Sequence, residues 1–294
     1  VGGYPLISVV ARDVRQRVTL PVLTRLLSAE REGYRSENND IISVMKEVSR
    51  HLSVSPLWVI DRGGDRGRLW TAWFEGGYRM LVRAANQRYW LWRDQPKTAQ
   101  QIARALPLKH RGKLRASGKE TVHFGVTRVQ LREHPEKPLW MLVVRHGKRE
   151  PLVLVTTEAV RGRRQGERMI QAYMDRWACE EGYRFSKQGF ALEGVQARRF
   201  NTLQNLVALA TLAWGLLAVH QVTQTHLLEK ARRLKPRKAL RFPFYSLLKG
   251  WQQLFATAQQ IFYPWWRQPT EPEAAPPPVA DLFSKQAGLL AGVS

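Results

Sequence analysis

The sequence predicts a mixed α/β sheet with helices, interrupted by a β-rich stretch and followed by a helical C-terminal region. Three observations point there. Strand-like and helix-like apolar patterns follow one another over roughly the first ninety residues as strand, strand, helix, strand, helix, strand. The run LWVI carries no polar alternation, as expected of a strand buried on both faces. The chain has 294 residues and 44% apolar content, enough for a substantial core and two domains.

The elements follow in order. YPLISVVARDV is rich in β-branched residues, and RVTLPVLTRLL is its partner across a polar turn at Arg15 to Arg17, so the two predict a hairpin. SENNDIISVMKEVSRHL predicts a helix, with Ser36 as N-cap and Ile41, Ile42, Met45 and Val48 at helical spacing. LWVIDRGGDR predicts a central strand ending on Asp61. RGRLWTAWFEGG predicts a short helix closed by Gly76 and Gly77, and YRMLVRAANQRYWLW returns to strand.

From about residue 95 the character changes. KHRGKLRASGKE reads as an exposed basic loop. TVHFGVTRVQLRE, PLWMLVVRH and EPLVLVTTE read as strands separated by HPEK and GKR turns, either a β-rich insertion or a continuation of the same sheet. RGRRQGERMIQAYMDRWACEEGYRFSKQ is helical in pattern. The uncharged stretch from Leu206 to Val219 predicts a buried helix, being shorter than the roughly 20 apolar residues of a membrane span. KARRLKPRKALR is a basic run, RFPFYSLLKGWQQLFATAQQIFYPWW an aromatic-rich helical region, and PTEPEAAPPPVA a low-complexity, disordered tail. The expected divisions are 1–94, 95–160, 161–225, 226–268 and 269–294.

Charge narrows the function classes. The formal net charge of +23 attracts polyanions, with nucleic acid first and anionic membrane second, and a merely basic soluble protein as the bland alternative. The single cysteine, Cys179, excludes an intramolecular disulfide or a cysteine-based zinc cluster within these residues. VGGYPLISVVARD does not read as a signal peptide, and a start at Val1 within a strand suggests that a segment precedes it.

Two groups of residues carry candidate chemistry. Asp61 follows LWVI, and acidic residues at strand ends in α/β sheets suit ligand or metal binding, although DRGGD is also good turn chemistry. Asp65 reads as a loop or helix-start residue. In YMDRWACEEGYRFSKQ, a regular helix turning about 100° per residue puts Tyr173, Arg176, Glu180 and Lys187 on one narrow stripe. Arg176 and Glu180 at i,i+4 could form an ordinary surface pair. The same stripe could also contact phosphate through Tyr173, Arg176 and Lys187 and hold a metal through Glu180. Trp177 and Cys179 read as packing residues.

The spacing Tyr173, Arg176, Glu180, Lys187 resembles the Tyr-Arg-Glu-Lys signature of the IS4-type DDE transposases. GYPLISVVA, Ser36 to Asn38, VIDRGGDR at Val59 to Arg66, and VTTEAV followed by the YMDRW helix resemble the same family in order. The resemblance covers residues 1 to about 215 and implies an RNase H-like mixed sheet with a β-rich insertion. It makes Asp61 the second catalytic aspartate and Glu180 the catalytic glutamate, both metal ligands, with Mg²⁺ or Mn²⁺ as cofactor. It makes Tyr173, Arg176 and Lys187 DNA contacts. The implied reaction is cleavage at transposon ends and joining of 3′ ends to target DNA. Transposon-end and target DNA would be the partners, a homodimer the synaptic form, and the cytoplasm, at the nucleoid, the location. The family's first catalytic aspartate belongs on a strand upstream of YPLISVVA, and its N-terminal DNA-binding region lies upstream too; Asp13 is no substitute for that aspartate. The expectation is therefore a transposase by ancestry with little or no strand transfer by this chain. The alternatives are a non-enzymatic basic nucleic-acid-binding protein and a structural remnant.

Overall fold

A computed structural model describes residues 4–13, 18–113, 121–147, 150–195, 197, 199–223, 244–245 and 247–252. The opening strands pair as expected. β1 (Leu6–Arg12) and β2 (Thr19–Leu26) form a two-stranded antiparallel sheet with an irregularity at Val9/Val10. The Arg15 to Arg17 turn lies outside the described residues. The helix after them, α1 (Glu37–Arg50), is capped by Ser36, whose hydroxyl accepts from the Asn39 N–H. Ion pairs join it to the hairpin region: Arg25 with Glu47 and Arg31 with Asp40.

The larger sheet has eight strands. Along its path lie β3 (Leu57–Ile60), β4 (Arg79–Arg83), β10 (Leu152–Thr156), β9 (His134–Arg145), β8 (Thr121–Leu131), β5 (Tyr89–Trp92) and β6 (Gln95–Thr98), in that order. The eighth, β7 (His110–Lys113), pairs with β8. Among the described residues only β3 and β4 run parallel; the other ladders are antiparallel. The parallel step is bridged by α2 (Gly67–Glu75), which ends at Gly76, with Gly77 at φ +64° reversing the chain. The strands after residue 95 thus extend the sheet that β3 and β4 begin.

Several expectations are corrected. LWVI is an edge strand rather than a central one: its described pairing is to β4 alone, and all four residues are half-buried. An apolar run reports burial by anything that packs on it, here Trp58 against Tyr78 and Ile60 against the main core, and does not count its strand neighbours. HPEK belongs to β9, because the chain reverses earlier, at Arg132 and Glu133, and His134 already pairs with Leu131. His110 to Lys113, expected in a loop, form β7; residues 114–120 lie outside the described residues. YRMLVRAANQRYWLW is split into β4 and β5.

The main core packs α2 and α3 (Ala99–Ala105) on one side of this sheet, around Trp70, Trp73, Trp90, Met80 and Ile102. α3 was not anticipated, although Thr98 and Gln101 form a full capping box at its start. A second cluster lies around Leu81, Phe124, Leu142, Leu154, Ile170 and Tyr173. It holds α4 (Arg163–Asp175), whose Gly166 sits under Phe124 where a Cβ would collide with the ring.

α5 (Trp177–Gly189) follows at once, then α6 (Phe200–Thr223). α6 was expected to be buried, but only one face is. Val207, Ala210, Trp214, Leu217 and Ala218 are buried, whereas Leu209, Leu212, Leu216 and Val219 are 54–66% exposed. The stretch Phe200–His220 is long and apolar enough to cross a membrane, which the Leu206–Val219 count did not suggest. The ring of Trp214 sits on Gly182 of α5 and near Phe185 and Phe244. KARRLKPRKALR, FYPWW and PTEPEAAPPPVA lie outside the described residues; within the aromatic region, 247–252 are helical.

Candidate active site

Asp61 leaves the carboxyl end of β3 and opens a one-turn 3₁₀ helix, Arg62–Gly64. Its Oδ1 accepts from the Gly63 N–H at 3.0 Å, and its carbonyl accepts from the Gly64 N–H at 3.0 Å. This is the turn chemistry that DRGGD suggested, and it leaves Asp61 exposed at the sheet end. A Cβ at Gly64 would collide with Ile60, so any side chain there forces the turn to shift. Arg66 then reaches back to the start of α1, donating to Glu37 at 2.9 Å and to Asn38 at 2.8 Å. The Ser36–Asn38 and Val59–Arg66 motifs therefore meet in space.

The Tyr173–Lys187 stripe is not on one regular helix. α4 ends at Asp175 and α5 starts at Trp177, with Arg176 between them. Arg176 keeps helical angles (φ −56°, ψ −29°), but the flanking bonds are i to i+3: Arg176 N–H to Tyr173 C=O and Cys179 N–H to Arg176 C=O. The Arg176–Glu180 pair nonetheless forms, Nη2 to Oε1 at 2.8 Å, and the guanidinium lies 5.5 Å from the Tyr173 ring centre. Exposure rises along the stripe: Tyr173 is 4% exposed, the Arg176 and Glu180 side chains 20% and 40%, and Lys187 is exposed. The Lys187 ammonium lies 5.8 Å from the Tyr183 ring centre.

The charge of Asp61 is also felt at Arg176. Burial favours loss of the Arg176 proton, but Tyr173, Glu180 and Asp61 together outweigh it and hold the guanidinium above its ordinary pKa. Two polar atoms here are buried with no protein partner: the Tyr173 hydroxyl and Arg176 Nε. Such atoms are costly and call for an acceptor from elsewhere. Cys179 is half-buried, and burial pushes its thiol up, with Arg176 opposing. Trp177 is corrected: it is 55% exposed, because the face α5 buries carries Gly182 and Phe185, about 80–140° round the helix.

Among the described residues, no group of three or more His, Cys, Asp or Glu is arranged to hold a metal ion. Sequence reasoning missed the Arg66 bridge and the burial of Asp65. No local signal reveals the first. The second had one: an acidic residue repeated four positions after Asp61, just ahead of an apolar helix.

The model of the transposase DDE domain family matches residues 24–216, about two thirds of the chain, and spans both Asp61 and Glu180. The chain belongs to the DDE transposase family. No curated protein matches it. The matched region of this transposase begins within β2 and ends within α6, so it covers the β3 end, the long antiparallel strands and the α4–α5 junction. The mixed α/β architecture, a large and mostly antiparallel sheet followed by helices, is consistent with an RNase H-like fold with extensions.

Proposed function

We propose that this chain is an IS4-type DDE transposase whose site, formed by Asp61 at the end of β3 and Glu180 on α5, engages transposon-end DNA. The observation that carries the reading is that Arg176, which bonds Glu180, also feels the charge of Asp61. It links two motifs far apart in sequence. Tyr173, Arg176 and Lys187 are the proposed phosphate contacts, Arg176 and Lys187 through their charged ends. The +23 charge supplies the long-range attraction.

Family membership implies a divalent ion, which would polarise phosphate oxygens and activate the attacking oxygen. Asp61 and Glu180 suit one hydrated Mg²⁺ or Mn²⁺. They fall short of a two-ion site, where ions about 3.5–4 Å apart need bridging carboxylates. Within this chain, Asp61 presents its carboxylate from a fixed turn, Arg176 holds Glu180 in place, and the α4–α5 junction binds the DNA backbone. We propose that residues 1–294 alone perform little or no strand transfer, that they act as a dimer on end and target DNA, and that they work in the cytoplasm at the nucleoid.

Incubation with end DNA of the encoding element and Mn²⁺ tests this. Tight, salt-sensitive binding with weak or no cutting is expected, and robust cutting abolished by Asp61→Ala would defeat the proposed impairment. Arg176→Ala should weaken binding about tenfold and lower the salt slope by about one. Unchanged affinity and slope would reduce the Arg176–Glu180 pair to a surface ion pair. Binding indifferent to both Mn²⁺ and Asp61 would favour a non-enzymatic nucleic-acid-binding protein.

A further inference from the structure

Asp65 lies four residues beyond Asp61, and its side chain is wholly buried. Burial pushes its carboxyl up from the ordinary range, opposed by the Ala85 N–H, the Trp70 indole and the charge of Arg88. The contacts come from three places. Ala85, just past β4, donates to Oδ2 at 2.7 Å, and Trp70 of α2 donates to Oδ1 at 2.9 Å. Arg88 Nε, from the approach to β5, lies 3.3 Å from Oδ1. Two hydrogen bonds and the charge of Arg88, whose Nε makes no hydrogen bond itself, hold this buried carboxylate in place.

What it fixes is the far end of the Asp61 turn. The turn is one stiff piece: Gly63 N–H to Asp61 Oδ1, Gly64 N–H to Asp61 C=O, Asp65 N–H to Arg62 C=O, and no room for a side chain at Gly64. Its near end, β3, is four residues long and, among the described residues, pairs with β4 alone, Ile60 opposite Val82. Asp65 bonds Ala85, three residues past Val82, so both ends of the turn are tied to β4 and its exit. We propose that Asp65 is a positioning residue, clamping the Asp61 turn to β4 so that the Asp61 carboxylate is held in one place at the end of β3. This inference rests on Asp61 belonging to the DNA-processing site.

Amide exchange in glycine-selective ¹⁵N-labelled protein tests the clamp without catalysis. In Asp65→Asn, Gly63 and Gly64 should exchange about tenfold faster or more, while Gly125 in β8 and Gly166 in α4 keep their protection. Unchanged exchange at Gly63 and Gly64 overturns the proposal. If Asp65→Asn unfolds the whole chain, Arg88→Gln, which removes one partner of the carboxylate, is read in the same way: a local loss at Gly63 and Gly64 supports the clamp, and none overturns it. Mn²⁺ titration followed by electron paramagnetic resonance separates the clamp from the reading beneath it. Asp65→Asn should weaken Mn²⁺ binding in the wild-type background and not in Asp61→Asn; equal weakening in both overturns positioning through Asp61. If Asp61→Asn leaves Mn²⁺ binding unaltered while Gly63 and Gly64 still respond to Asp65→Asn, the metal-site reading falls and the clamp stands.

Discussion

The two halves of the candidate site are built differently. The Asp61 turn is satisfied from within: its amides bond its own carboxylate and carbonyls, Asp65 anchors one side, and Arg66 ties it to α1. The α4–α5 junction is not. It buries the Tyr173 hydroxyl and Arg176 Nε without a protein partner, and it breaks regular helix at Arg176. The turn presents one carboxylate, whereas the junction keeps two buried polar atoms unpartnered. A chain that binds an anion before it does chemistry is expected to carry its unsatisfied groups on the cationic side.

The largest test of this contrast removes what seats the junction. Trp214 of α6 is 2% exposed and lies against Gly182 and Phe185 of α5. Trp214→Ala should cost about 3–5 kcal/mol by leaving a cavity under α5. A urea melt measures it; a loss below about 1 kcal/mol would mean that α5 is seated by something else.

Next is the turn. Gly64→Ala forces a methyl group into Ile60, so the turn must shift at a cost of about 1–3 kcal/mol. The contrast sharpens if Mn²⁺ binding weakens while DNA affinity, supplied mainly by the junction, holds. Equal loss of both would merge the two halves into one.

How much of this was legible in the sequence depends on range. The hairpin, α1 and α2 were legible because each is decided by its own apolar period and its own cap, as Ser36 shows for α1. The edge position of LWVI was not, since the number of neighbours a strand finds is a tertiary fact. α3 escaped notice because seven residues make too short a periodic signal, although its Thr98–Gln101 box stood in plain sight. In the site, the Arg176–Glu180 spacing was legible as an i,i+4 pair. The break at Arg176 was not, because a charged residue in good helical sequence gives no sign of it.

A smaller effect is expected at Tyr173. Its hydroxyl is buried without a partner, so Tyr173→Phe removes a group that costs free energy in the unbound protein. Stability should stay level or rise by up to about 1 kcal/mol, while affinity for end DNA falls. A clear loss of stability in thermal melts would show that the hydroxyl has a partner, and the contrast between the two halves would weaken.

The smallest effect lies outside both halves and serves as a control. Arg79 at the start of β4 grips Glu158 with two bonds of 2.9 Å, Nε to Oε1 and Nη2 to Oε2, and also donates to the Ser55 carbonyl just before β3. The hydrogen bonds from Arg79 hold the Glu158 carboxyl below its ordinary value, against the opposing effect of burial. A carboxylate whose pKa is lowered by folding contributes stability that is present above its unfolded value, about 4.3, and lost as pH falls through the folded one. Both side chains are partly exposed, which limits the contribution to less than about 1 kcal/mol. Glu158→Gln should therefore be slightly less stable than the wild type at pH 7, with the gap closing in urea melts taken progressively below pH 4.5. Because the pair joins β4 to the residues after β10 at the strand ends opposite Asp61, neither Mn²⁺ nor DNA binding should change at pH 7. If either did, the Asp61 turn would be coupled to the whole length of β4, and its clamp at Asp65 would not be the local device that its bonds to Ala85 and Trp70 describe.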